Sequence, residues 1–273
     1  MNLFNTKVNE IFQSKSAIKV ITGINNSNID QILKITKAAE QYPYTYVDII
    51  ANTNIVRLVK SVSPITVCVS SINPIDLYNC VLAGADLVEI GNFDPFYKKG
   101  LYFSSSDILE IAKKVKFLVG NIDICVTIPY YLPLKDQINL AQDLEKLGVS
   151  LLQTESLFIK NKKYISDLYK DSIYESISLA ALSFLSTYAI SKQVEVPIIA
   201  SSSVSSLSSP LAIFFGASGV GIGSCIRQKN NIFQMSAYIN EIYRSLSSLG
   251  SINSIEGGSY FNSSRTPKEK LKI

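Results

Sequence analysis

Short apolar runs alternate with longer amphipathic stretches along almost the whole chain, which is the pattern of parallel strands joined by helices. The strands expected are Ala17 to Gly23, Thr45 to Ala51, Pro64 to Ser71, Leu87 to Gly91, Ile124 to Ile128, Ser150 to Thr154, Ile198 to Ala200 and Val220 to Ile222. The first helix, Asn28 to Gln41, carries Ile29, Ile32, Leu33 and Ile35 at helical spacing. Others are expected at Asn54 to Val62, from Asn73-Pro74 to Gly84, from a Ser106 cap to Val119, at Lys135 to Leu147, up to Ser191, from Ser209-Pro210 to Gly216, and at Asn231 to Leu249. Eight strands, each followed by a helix, predict a closed (β/α)8 TIM barrel. An open doubly wound sheet is the alternative, but it would want a glycine-rich nucleotide turn after the first strand, where Gly23-Ile24-Asn25-Asn26 stands.

The two ends frame this barrel. Leu3, Phe4, Val8, Ile11 and Phe12 fall on one helical face, which predicts an N-terminal helix capping the barrel bottom. After Gly250 the chain is polar and patternless, so residues 1–250 are expected to form one domain and 251–273 a disordered tail. Ser176 to Ser191 is uncharged but interrupted by polar residues, so it reads as a buried or subunit-facing helix, the latter giving a homo-oligomer, and not as a membrane span.

The stretch from Val196 to Arg227 carries the clearest chemistry. Its seventh and eighth strands end in Ser201-Ser202-Ser203 and Gly223-Ser224. Two adjacent parallel strands that end in small residues rich in backbone donors match the phosphate cradle of a (β/α)8 barrel. Ser202, Ser203, Gly223 and Ser224 are therefore the candidate phosphate-binding residues, gripping an anion through backbone amides without help from Lys or Arg.

Strand alternation then sorts interior from exterior. One parity is aliphatic (Val20, Val47, Ile49, Val67, Val69, Val88, Ile90, Val126, Ile128, Leu152, Ile199, Val220, Ile222) and should face the helices. The other carries Lys19, Asp48, Cys68, Ser70, Glu89, Thr127, Gln153, Glu155, Ser202 and Gly223. Ionisable groups inside a barrel are costly unless paired, so Lys19, Asp48, Glu89 and Glu155 become the candidate catalytic residues. Set against that is a purely structural ion-pair network, with Lys19 the weakest site member because it falls early in its strand and fits the bottom rim.

Composition narrows the chemistry. The 273 residues include no histidine, which excludes Ser-His-Asp and Cys-His catalysis and every His-ligated metal centre. The four cysteines, Cys68, Cys80, Cys125 and Cys225, lack metal-ligand spacing, so no metal site is expected and a reducing compartment follows. A net charge of +4 is mild and scattered, which argues against a nucleic-acid partner. Met1 to Gln13 has no apolar signal core, so no targeting segment is expected. The abundance of Ile, Asn, Ser, Lys and Tyr points to an AT-rich genome, such as that of a plastid or parasite.

The stretches KVITGINN, VDIIAN, VCVSSINP, AGADLVEIGNFDPFY, LLQTE and GASGVGIGSCI together resemble the hypothetical chloroplast open reading frame 23 family of algal plastids and cyanobacteria. The resemblance spans Ala17 to Leu249 and implies a plastid protein with an aldolase-type barrel, but no established activity. Two positions depart from that pattern: Ser156 stands where glycine is common, and Tyr130 where histidine is. If that histidine were essential, this chain would be inactive.

The function expected is a lyase, isomerase or synthase acting on a small phosphorylated metabolite, with Lys19 as Schiff-base former or charge partner. Alternatives are a barrel that holds the phosphate of FMN in the same cradle, and a non-catalytic binding or assembly protein of the plastid. The aromatic loop Asn92 to Phe103 is either a lid over the site or packing on the rim.

Overall fold

A computed structural model describes residues 3–91, 93–97, 99–156 and 173–255. Eight strands, β1 (Ala17–Ile21), β2 (Thr45–Ile50), β3 (Thr66–Ser70), β4 (Leu87–Ile90), β5 (Asp123–Ile128), β6 (Leu151–Thr154), β7 (Ile198–Ala200) and β8 (Gly219–Ile222), close in sequence order into a parallel barrel. The closing pair sets Ile18 opposite Val220 and Lys19 opposite Gly221. Helices α1 (Thr6–Gln13), α2 (Ile29–Ala39), α3 (Thr53–Val62), α4 (Pro74–Leu82), α5 (Asp94–Tyr97), α6 (Ser105–Val119), α7 (Leu134–Leu147), α8 (Ile173–Ser191), α9 (Ser209–Phe214), α10 (Ser224–Arg227) and α11 (Ile232–Ile255) lie before, between and after them in the chain. This is the (β/α)8 TIM barrel expected from the sequence, with an N-terminal capping helix.

Asparagine sets several helix starts. Asn5, Asn28, Asn52 and Asn73 cap α1, α2, α3 and α4, each side chain accepting from backbone N–H groups that have no partner inside the helix. Helix α6 opens on Ser104, not Ser106, because the Asp107 carboxylate accepts from the Ser104 N–H while Ser104 Oγ accepts from the Asp107 N–H, completing a capping box. Ser208, not Ser209, is the cap residue of α9. Helix α11 runs through Gly250 to Ile255, so the first residues of the expected tail continue a helix. Residues 256–273, and the expected polar loop after Ser156 as far as Lys170, lie outside the described residues.

Two hydrophobic clusters follow from strand alternation. The outer one packs Val20, Val47, Ile49, Val67, Val88, Ile90, Val126, Leu152 and Val220 against the helices. The inner one fills the barrel bottom with Ala17, Tyr46, Cys68, Leu87, Cys125, Leu151 and Ile199, closed from below by Leu3, Val8, Ile11 and Phe12. Phe4 departs from the expected face and is half-exposed beneath Lys116. The lid is pinned by Asp123, whose carboxylate accepts from the Phe4 N–H (3.1 Å) and the Asn5 N–H (2.9 Å).

Ile199 belongs to the inner cluster, opposite the side assigned from the sequence. Its partner across the ladder is the inward-facing Gln153, so Ser201, rather than Ser202, continues the interior row. A three-residue strand reading Ile-Ile-Ala has no polar alternation from which parity can be read.

Candidate active site

Above the apolar floor the barrel interior turns polar. Lys19 from β1 ion-pairs with Glu89 from β4, donates to Gln153 Oε1 from β6 at 2.9 Å, and lies 3.4 Å from Asp48 Oδ2 on β2. An ammonium carries three N–H donors, and here three acceptors face it. Glu89 Oε1 in turn accepts from Thr127 Oγ1 (2.8 Å) and Gln153 Nε2 (2.9 Å). Ser70 Oγ donates to Asp48 Oδ1 at 2.5 Å. Six strands, β1 to β6, thus converge on one buried constellation. Lys19 is 1% exposed and Glu89 0%, so Lys19 belongs to the centre of this layer and not to the bottom rim.

Gly91, just past β4, makes the arrangement possible. A Cβ there would fall 2.1 Å from Thr127 Oγ1 and 2.9 Å from Glu89 Oε1, so any side chain would break the network. Sequence reading singled out Glu89 but not the glycine two residues on, although the alternation places both on the same face.

The sulfur and phenol groups beneath are held neutral. Burial, then Asp48, push the Cys68 thiol well up, and burial raises Cys125 to about 12. Tyr46, pushed well up by burial, keeps a buried hydroxyl that has no hydrogen-bond partner among the described residues, below the charged layer. Asp48, Cys68 and Glu89 bring one potential ligand atom each within 4.8 Å of the others. The Lys19 ammonium already faces both carboxylates, and a metal would need the thiolate that burial opposes.

Glu155, beyond the end of β6, forms a second group. Its Oε1 accepts from Tyr97 OH at 2.5 Å and from the Tyr130 N–H at 3.3 Å. Tyr97 stacks on Tyr102 and meets the edges of Tyr130 and Tyr131, while Tyr131 OH exchanges hydrogen bonds with the Phe103 backbone. Phe93 anchors the loop, fully buried against Phe103 and Tyr97. The aromatic loop therefore packs on the rim and also reaches a candidate catalytic carboxylate. Tyr130, standing where the resemblance leads one to expect histidine, contributes its backbone and ring to this cover. Ser156 Oγ donates to the Leu179 carbonyl and is buried.

The candidate phosphate-binding residues sit on neighbouring loops. β7 and β8 are directly paired, Ala200 opposite Val220, so the turns after them emerge side by side. Ser202 and Ser203 both adopt left-handed backbone, φ 68° and 60°, which turns the chain sharply at the strand end. Among the described residues, the N–H groups of Ser203 and Ser224 donate to no protein acceptor. Ser203 and Ser224 are exposed, and Ser202 and Gly223 are half-buried.

Sequence reasoning missed Arg227, which sits at the end of the one-turn helix α10. Its Nη1 donates to the Ile21 carbonyl at 3.0 Å, in the notch between the ends of β1 and β8. The only signal was its spacing: three residues after Ser224, one helical turn returns a side chain to the strand ends.

Fold and interior together define a (β/α)8 TIM barrel with polar groups inside the barrel and at its C-terminal mouth. The chain belongs to the family described as "Protein of unknown function (DUF561)", whose pattern matches residues 3–252. A relative from Antithamnion sp., "Uncharacterized protein ycf23", is 50% identical over 250 residues, covering 90% of each chain. The protein of that name from Porphyra purpurea is 41% identical over 89% of this chain and 90% of its own. Relatives so named come from the plastid genomes of algae and Cyanophora, and the chain is a plastid protein. Among solved structures it resembles 3-hexulose-6-phosphate synthase (TM-score 0.58, 15% identity, 84% of this chain and 99% of that one). It also resembles (S)-3-O-geranylgeranylglyceryl phosphate synthase from Thermoplasma acidophilum in complex with sn-glycerol-1-phosphate (0.59, 8%, 88% and 98%). At such identities the likeness establishes the fold. Among the described residues no helix is long and apolar enough to cross a membrane.

Proposed function

We propose that this barrel binds a small phosphorylated metabolite at its C-terminal mouth and acts on it as a lyase, isomerase or synthase. The observation that carries this reading is the buried constellation of Lys19, Asp48, Glu89, Thr127 and Gln153, drawn from five strands where a barrel built only for stability would place aliphatic side chains. The loops at Ser202, Ser203, Gly223 and Ser224 hold the phosphate. Asp48, Glu89 and Glu155 exchange protons with the substrate, and Lys19 stabilises the oxyanion that develops when a proton leaves carbon beside a carbonyl. Lys19 serves as charge partner rather than Schiff base, since an amine held among Glu89, Gln153 and Asp48 must leave its acceptors before it can attack carbon. The two structural neighbours support the ligand class, because their names include phosphorylated compounds.

Titration of the purified chain with glycerol phosphate and with inorganic phosphate tests this. Saturable binding, competitive between the two and lost in Gly223→Asp, is expected; no heat with either ligand refutes it. FMN fits less well, because an isoalloxazine ring wants an apolar seat and the layer below the mouth is charged. Protein that is colourless and takes up no added flavin is the expected result.

A non-catalytic barrel is favoured by one observation: Lys19, Glu89 and Gln153 satisfy one another and are at most 2% exposed, as a purely structural network would be. On that reading the chain co-purifies with a stable plastid partner and its mouth binds no phosphate.

A further inference from the structure

We infer that the outer face of helix α8, together with Phe214 of α9, is a two-fold interface onto which a second copy of this chain packs. The uncharged stretch from Ser176 to Ser191 reads from sequence as buried or subunit-facing, and α8 has one face for each role. Its inner face packs on β6 and β7 through Ala180, Ser183, Phe184, Thr187 and Ile190, all buried. Two of these are hydroxyl residues, and Ser183 and Thr187 share hydrogen bonds with Thr154 of β6 at 3.0 and 2.7 Å. The outer face carries Ala181, Leu182, Leu185 and Tyr188, spaced to form a single exposed stripe. An ordinary surface helix turns its hydrocarbon to the core and its polar groups to water. Here hydroxyls point into the barrel wall and leucines point out, as in a helix buried on both sides. Among the described residues nothing covers that stripe. It continues onto α9, where Tyr188 meets Phe215 edge-on at 6.1 Å and Phe215 meets the exposed Phe214 at 5.6 Å.

Area and charge select a second copy as the occupant. Leu182, Leu185, Tyr188 and Phe214 are between 42% and 67% exposed. Side chains of this size and exposure present roughly 500 Å² per copy, or roughly 1,000 Å² for a pair, which is where specific interfaces begin. A two-fold axis sets like against like, so any charge on the shared face would meet its own kind. From Ser176 to Ser191 there is none. Lys192 follows at the edge, its Nζ 5.4 Å from the centre of the Tyr188 ring. Aromatic anchors with a cation at the rim are the anatomy of an interface, and a charged partner would find no complement on this face.

The experiment is sedimentation velocity of the full chain over a range of concentrations. It compares wild type, Leu182→Glu with Leu185→Glu, Leu182→Lys with Leu185→Lys, and an equal mixture of the acidic and basic variants. Both positions are exposed, so circular dichroism and melting of each variant at high dilution should match wild type. Wild type should sediment with twice the mass of one chain. Each charged variant should dimerise at least about a hundredfold more weakly, and the mixture should recover dimer because opposite charges then meet. A monomeric wild type, or a dimer that both variants keep, overturns the inference. So does a wild-type monomer that binds phosphatidylglycerol vesicles through this face, which would make it a membrane-surface site.

Discussion

Lys19 and Glu89 are fully buried, and each compensates a charge that would otherwise lack solvent. Removing one partner of such a pair costs about 3–5 kcal/mol, because the other is left uncompensated. Lys19→Met should lower unfolding free energy by that amount in urea titrations, and the double change Lys19→Met with Glu89→Gln should recover part of it. Equal losses in the single and the double variant would mean that the pair is not coupled. Gly91→Ala should also destabilise, by about 1–3 kcal/mol, since its methyl would displace Thr127 from Glu89. At this scale the sequence was informative wherever polar residues interrupt an apolar strand: Lys19, Asp48, Glu89 and Gln153 were legible by parity alone. Arg227 was not, because a lone arginine after a glycine-serine turn looks like any surface charge until the one-turn helix brings it back to Gly223.

Among the elements, the lid helix α1 makes the clearest case. Its apolar face could be read from Val8, Ile11 and Phe12, yet the tie that seats it comes from Asp123, in a strand far along the chain. Asp123→Ala should cost about 1–3 kcal/mol by stranding two amide donors. Cys68 and Cys125 lie under this lid with raised thiol pKa values. Alkylation at about pH 8 should accordingly modify the half-buried Cys225 well before either of them, and Asp123→Ala should speed their labelling. Their titration also fixes a sign. Cys125 holds its proton to about 12 when folded, against 9.0 for an ordinary thiol, so the stabilisation is complete below pH 9 and is lost as pH rises toward 12. Cys125→Ala should flatten the fall in stability across that alkaline window, as followed by circular dichroism. β7 was the element least legible from sequence, and its reversed parity moved the interior position from Ser202 to Ser201.

For the molecule as a whole, closure was legible because eight strands and the helices between them leave no strand to serve as a sheet edge, and the ladder from β8 back to β1 bears that out. What periodicity could not supply was side-chain convergence across the barrel, since residues as distant as Lys19 and Gln153 meet only after closure. At the end opposite the mouth lies a groove of about 370 Å³ lined by Lys7, Glu10, Tyr42, Tyr44 and Thr66 beside the lid helix. Ligands of (β/α)8 barrels bind at the C-terminal face, so this groove is the natural negative control. Crystals of the full chain grown with glycerol phosphate discriminate between the two ends in one map. A phosphate is expected between the Ser203 and Ser224 amides, with its glycerol end toward Lys19 and Glu89. Density confined to the lower groove, or a mouth that stays empty at saturating ligand, would contradict it.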